Sequence, residues 1–224
     1  MSPSSPAAGA RATHPLAIAA LLFGATAIAT SALFVKVSET GPVATAFWRI
    51  FLALPFLWMW SLLAERAGHS ASFVSEKRLL LATGLFFAGD LAFWHWSIVR
   101  TSVANATLLA NLAPIFVALA AWLLFRQQLR GKFLRGLAIA LAGMTILIGG
   151  DFALQGSELL GDAFGVVTAM FYAGYQISVT KLRARVATST IMAWTGLVTA
   201  IVLLPVALAS GERLLPVSDT GWIK

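Results

Sequence analysis

Of the 224 residues, 59% are hydrophobic and only 11% are charged, with a formal net charge of +7 and no cysteine. Soluble domains carry about a quarter of their residues as charges, so this composition excludes a water-soluble globular protein, and the missing thiols exclude disulfides, a cysteine nucleophile and a thiolate metal site. The apolar residues lie in uninterrupted runs that match about 30 Å of hydrocarbon at ~1.5 Å per helical residue, which predicts an all-α polytopic membrane bundle.

In chain order, residues 1–14, "MSPSSPAAGARATH", read as a Ser/Pro/Ala-rich disordered tail. Seven spans follow, over 16–37, 42–63, 79–100, 102–125, 133–150, 160–182 and 189–210. The first is too long for the apolar region of a signal peptide and is read as an uncleaved span. Each must be helical, because hydrocarbon cannot satisfy an open backbone; the alternating segments of a membrane barrel are absent. Spans one and six share a faint internal likeness: an apolar run ending at Lys36 or Lys181, a loop, then a span carrying Pro55 or Pro205.

All Lys and Arg residues except Lys36, Arg49, Arg100, Arg213 and Lys224 fall in the tail or in the second, fourth and sixth connections. The positive-inside rule therefore puts the N-terminus in the cytoplasm of a multi-pass cell-membrane protein. The basic charge is a topology signal, and nucleic acid is not expected as a partner. The expected partners are the lipid bilayer and a small-molecule substrate.

Three stretches carry a resemblance to a known family. They are "FWRIFLALP" around Arg49, "TSVANATLLANLAPIFVALAAWLLF" with Pro114 followed by "GLAIALAGMTILIGG", and "LLGDAFGVVTAMFYAGYQISVTKL" with Gly161, Asp162 and Tyr172. In order and spacing the chain resembles the drug/metabolite transporter superfamily, in particular its EamA-like permeases. The resemblance implies ten spans in two inverted five-helix repeats around a central substrate cavity. Residues 15–150 would be the first repeat and 159–224 the start of an incomplete second one, with the last three spans missing. Gln127 stands where members usually carry a glutamate. A chain ending in "SDTGWIK" is expected to be a fragment or a truncated relative, leaving an exposed polar stripe that includes some of Thr107, Asn111, Tyr172 and Gln176.

The candidate substrate-binding residues are polar groups inside spans, which are costly there and so mark a cavity or an internal pairing. On the third span Thr83, Asp90, Trp94, Ser97 and Thr101 share one stripe. Asp90 either faces a cavity, where it binds an amine or a proton, or pairs with Arg49 of the second span at a similar depth. His95 points ~140° away from Asp90 and reads as a packed or interfacial histidine. On the fourth span Thr107, Asn111 and Pro114 share a face. Proline frees the carbonyl of Ala110, which makes either a binding site with Asn111 or a packing kink. On the sixth, Tyr172, Tyr175 and Gln176 lie deep enough to point inward, into a cavity or into aromatic packing. Trp48, Trp58, Trp60, Trp96 and Trp122 fit an aromatic belt, and Gly84, Gly89, Gly143, Gly165 and Gly174 fit close helix approach.

The function that follows is secondary transport of small organic metabolites, amphipathic or amino-acid-like. No "GxxxxGK[ST]" loop occurs, so ATP is not the expected driving force. No cofactor or metal is called for, since His14, His69 and His95 are scattered. An enzyme would need a Ser–His, paired-Asp or HExxH constellation, which the sequence lacks. The alternative is a non-transporting membrane protein, receptor-like by its seven spans or an inactive truncated relative; a photoreceptor's Schiff-base lysine is absent from 189–210.

Overall fold

A computed structural model describes residues 15–66, 73–124, 126, 128, 131–148 and 156–218. The tail, His14, His69, Gln127 and the terminal Trp222–Lys224 lie outside the described residues. Within them there are eight helical segments and no strand: α1 (Pro15–Val37), α2 (Pro42–Arg66), α3 (Phe73–Arg100), α4 (Val103–Ala110), α5 (Ala113–Leu123), α6 (Gly131–Ile148), α7 (Gly156–Leu182) and α8 (Thr188–Ala209). Five runs are long and apolar enough to cross a membrane, α4 and α5 counting together as one. The chain is a helical membrane bundle.

The fourth predicted span is thus a broken rod. Pro114 has no N–H to offer the carbonyl of Ala110, so α4 stops there. The chain tightens through Leu112 N–H to Leu109 O (3.0 Å) and Ile115 N–H to Leu112 O (2.8 Å), and α5 restarts with the proline in its first turn. Ser102 caps α4 by accepting the Asn105 N–H at 2.9 Å.

Burial runs opposite to a soluble domain. Large apolar side chains point outward, including Leu21, Leu22, Phe23, Phe56, Ile139 and Ile146, as a hydrocarbon-facing surface requires. The interior holds small or weakly polar residues such as Ala44, Ala46, Ala169, Ala193, Thr195 and Thr199. Without a hydrophobic drive between helices in lipid, close approach and interhelical hydrogen bonds hold them together.

The centre is α3, which packs along α7 and α8, while α2 packs along α8 and α4–α5 along α7. Phe171 of α7 lies over Gly89 of α3, and Phe86 of α3 lies over Gly174 of α7. Gly84 similarly admits Val198 of α8, and its carbonyl accepts the Thr199 hydroxyl at 3.1 Å. Gly165 meets Leu109 and Ser97. Gly143, predicted to be a contact glycine, has no atom within 4 Å of where a Cβ would stand; it borders an open groove on α6, so its smallness serves no close helix contact.

α7 runs antiparallel to α3, and α2 antiparallel to α8, whereas α8 runs parallel to α3. At one end Arg185, after α7, pairs with Glu76 at the start of α3 at 2.7 Å. At the other end Lys36 of α1 donates to Thr101 O (3.2 Å), and Gly161 near the start of α7 abuts Arg100 and Thr101. The segment after α8 closes this same end. Glu212 accepts the Ala44 N–H at 2.8 Å and the Trp96 Nε1–H at 3.1 Å. It thereby caps the N-terminus of α2, which has no acidic residue of its own in its first turn. Trp48 donates to Leu214 O at 2.7 Å, and Glu39 accepts from the Val217 and Ser218 amides and the Ser218 hydroxyl. Of the predicted belt, Trp60 and Trp122 are exposed, whereas Trp48 and Trp96 spend their indole N–H on this protein contact.

Two outcomes follow from this packing. A Cβ at Gly161 would lie 2.8 Å from the amide nitrogen of Thr101, whose backbone cannot step aside. Gly161→Leu is therefore expected to lower the thermal midpoint in detergent by the equivalent of about 1–3 kcal/mol, and Gly143→Leu to leave it unchanged or raise it. Glu212→Ala, which removes the cap from α2, is expected to cost about 1 kcal/mol in the same assay.

Candidate substrate cavity

Polar side chains from α2, α3, α4 and α7 converge on one cavity of ≈ 360 Å³. Asp90 and Trp94, one helical turn apart on α3, form one wall together with Phe87. Tyr172 and Tyr175 of α7 form another, their rings 6.2 Å apart and nearly parallel; Phe87 stacks on Tyr175 at 4.8 Å. Thr107, Ala110 and Asn111 come from the end of α4, and Arg49 from α2. A larger groove of ≈ 490 Å³ lies between the α4–α5 break and α6, lined by Leu112, Pro114, Phe133 and Leu137. Among the described residues its lining holds no charged group, and its polar side chain is Asn111, shared with the smaller cavity.

Asp90 is 9% exposed, and no described residue donates a hydrogen bond to its carboxylate. A buried carboxylate left without donors inside a membrane is costly. The aromatic rings around it supply apolar faces and, in the tyrosines, hydroxyls; Tyr175 directs its own toward Met192 Sδ at 4.0 Å. Asn111 is exposed, with its amide donating back to Thr107 O at 2.9 Å, so its side-chain oxygen is left for another partner.

The predicted pairing of Asp90 with Arg49 does not occur. The guanidinium instead donates to His95 Nε2 at 3.3 Å. Depth explains the choice. Arg49 is seven residues in from Pro42, about 10 Å; His95 is five residues before Arg100, about 7.5 Å, whereas Asp90 is ten before it, about 15 Å. Long cationic side chains reach toward the nearer interface, and that direction leads to the histidine. His95 is fully buried, and its Nδ1 sits 2.7 Å from Leu91 O. A carbonyl can only accept, so Nδ1 carries the hydrogen and Nε2 offers a bare lone pair to the arginine. The reading of His95 as a packed side chain missed this contact, although its depth match to Arg49 was a usable signal.

Residues 15–149 match the model of the EamA-like transporter family. The chain belongs to that family. It is 29% identical over 191 residues to an uncharacterized transporter of Archaeoglobus fulgidus, covering 82% of this chain and 64% of that protein. A solved crystal structure, 22% identical, superposes over 91% of this chain and 69% of its own with a TM-score of 0.62, a likeness of fold.

The bundle of this EamA-like chain brings together five of the seven candidate site residues: Asp90, Trp94, Asn111, Tyr172 and Tyr175. Ser97 is not among them. Its hydroxyl donates to Gly161 O at 2.7 Å, fully buried where α7 closes on α3. Thr83 and Thr101 likewise leave the stripe, Thr83 bonding its own helix at Leu79 O (2.6 Å). Gln176 is half-buried outside the cavity, because the opening is centred between Tyr172 and Tyr175, about 70° around α7 from it. In the expected polar stripe, Thr107 and Asn111 are exposed and Tyr172 and Gln176 half-buried.

Double-mutant cycles test these pairings. Arg49→Ala with His95→Ala is expected to show a coupling of about 1 kcal/mol or more, and Arg49→Ala with Asp90→Ala less than about 0.5 kcal/mol. Denaturation of purified variants in detergent measures both.

Proposed function

We propose that this chain forms the solute path of a secondary-type transporter in the cell membrane, moving small amphipathic or amino-acid-like metabolites through the cavity that Asp90 and Trp94 line. The observation that carries the reading is an unpartnered carboxylate and an unneutralised guanidinium opening into one aromatic-walled space at membrane depth. Two such charges would find each other in a purely structural bundle, since stranding either is expensive. Here they stay apart, and a solute or a proton is what each meets. Membership of a transporter family and likeness to a transporter-named relative support the same conclusion.

Within the site, Asp90 takes a cationic group or a proton, and Trp94, Tyr172 and Tyr175 take the apolar body, with room for cation–π contact. Asn111 and the Ala110 carbonyl freed by Pro114 supply polar contacts at the helix break, the place where membrane transporters expose backbone to solutes. The driving force is a gradient or an exchange. The N-terminus and the Arg185 end of the bundle face the cytoplasm, following the distribution of basic residues.

Uptake of radiolabelled phenylalanine into proteoliposomes tests the transport reading. Asp90→Asn is expected to fold with an unchanged thermal midpoint and to lose most uptake, or its dependence on pH; unchanged uptake at every pH would sink the role given to Asp90. For orientation, the chain has no cysteine of its own. Single cysteines at Ala184 and Val217, both exposed, should therefore label only from inside and only from outside the cell, respectively. Labelling of both from one side would overturn the topology.

A further inference from the structure

We propose that Arg49, held in position by His95, is a docking point for an organic carboxylate at the outer end of the cavity. The proposal rests on the reading of this cavity as a solute path and adds the chemistry of one end of the solute. Neither residue is among the seven substrate-binding candidates read from the sequence.

A guanidinium has five N–H donors. Only one hydrogen bond is made, to His95 Nε2, and the remaining donors find no acceptor among the described residues. The side chain is exposed, and its exposure is toward the cavity it lines, about 10 Å inside the outer end of α2. A cation whose role was to bind helices together would have its donors consumed by carbonyls or a carboxylate. Arg49 has instead the form of an open fork, which matches a carboxylate through two parallel hydrogen bonds.

His95 gives the fork its direction. Leu91 O fixes the Nδ1–H tautomer, so Nε2 is an acceptor with a fixed aim. A lysine or a protonated ring at position 95 would offer no acceptor and would not hold the arginine there. The same contact keeps the guanidinium away from Asp90, five residues and about 7.5 Å further along α3. The cavity thus keeps an anion-binding and a cation-binding group separate, and a solute carrying both charges spans them.

Nitrogen-15 NMR reads the site directly, because the chain has only three histidines. The full chain, labelled with [15N]histidine in nanodiscs, is expected to show one ring with a protonated Nδ1 and a bare, hydrogen-bonded Nε2. Benzoate should shift that ring's Nε2 resonance and benzylamine should not, and Arg49→Leu should abolish the benzoate response. In equilibrium dialysis with radiolabelled benzoate, His95→Leu should weaken binding by about tenfold or more, the loss of a charge-assisted hydrogen bond. His95→Gln, which keeps an acceptor for the arginine and a donor for Leu91 O, should restore most of it. Absence of a benzoate response, its survival in Arg49→Leu, or full affinity in His95→Leu would each overturn the proposal. Phenylalanine uptake is read separately. Uptake without any benzoate response counts against this docking point alone, and a benzoate response without uptake counts against the transport reading alone.

Discussion

The close approach of α3 and α7 is the constraint on which the rest of the structure depends. Phe171 sits over Gly89 and Phe86 over Gly174, while Gly161 lets the start of α7 touch the backbone at Arg100 and Thr101. These contacts bring two long helices together along their lengths, with Phe93 stacked on Phe171 and Leu80 packed near Leu182 between them. Ser97, donating to Gly161 O, sets their register near the C-terminal end of α3. With that register, Asp90 and Trp94 face Tyr172 and Tyr175 across a gap. The cavity is the place where the two helices carry bulk in place of glycine.

The second organising feature is the separation of opposite charges. Low dielectric magnifies the attraction between a carboxylate and a guanidinium, so a bundle that keeps them apart must hold at least one by another contact. His95 does this with a single neutral ring. Its Nδ1–H is committed to the backbone of its own helix, and its Nε2 is committed to Arg49. The cavity therefore presents two charges at different depths, and aromatic faces lie beside Asp90.

At the end where α2 begins, the segment after α8 ties the bundle together by satisfying backbone groups that helix termini leave open. Glu212 answers both an amide at the start of α2 and the indole of Trp96 on α3, and Glu39 receives the amides of Val217 and Ser218. A predicted membrane-belt role for Trp48 and Trp96 becomes a protein contact, because the Leu214 carbonyl and the Glu212 carboxylate accept their indole N–H groups. The opposite end is held by the ion pair of Arg185 with Glu76.

The sequence by itself determined the class of the molecule: its composition and the length of its apolar runs leave helices in a membrane as the physical option, and the span boundaries follow within a few residues. It also marked Pro114 as a point where the fourth span loses a backbone hydrogen bond, and Asp90, Trp94, Ser97, Asn111, Tyr172, Tyr175 and Gln176 as polar groups that are costly in lipid. Helical periodicity assigns a residue to a face. It does not say which neighbour covers that face, or at what height. Tertiary packing decided that the start of α7 would seal the C-terminal part of the Asp90 stripe, so Ser97 became a packing hydroxyl, and that the opening on α7 would lie between the tyrosines, leaving Gln176 aside. It decided as well that Arg49 would reach His95 and not Asp90, because pairing of charges depends on relative height and side-chain reach across two helices.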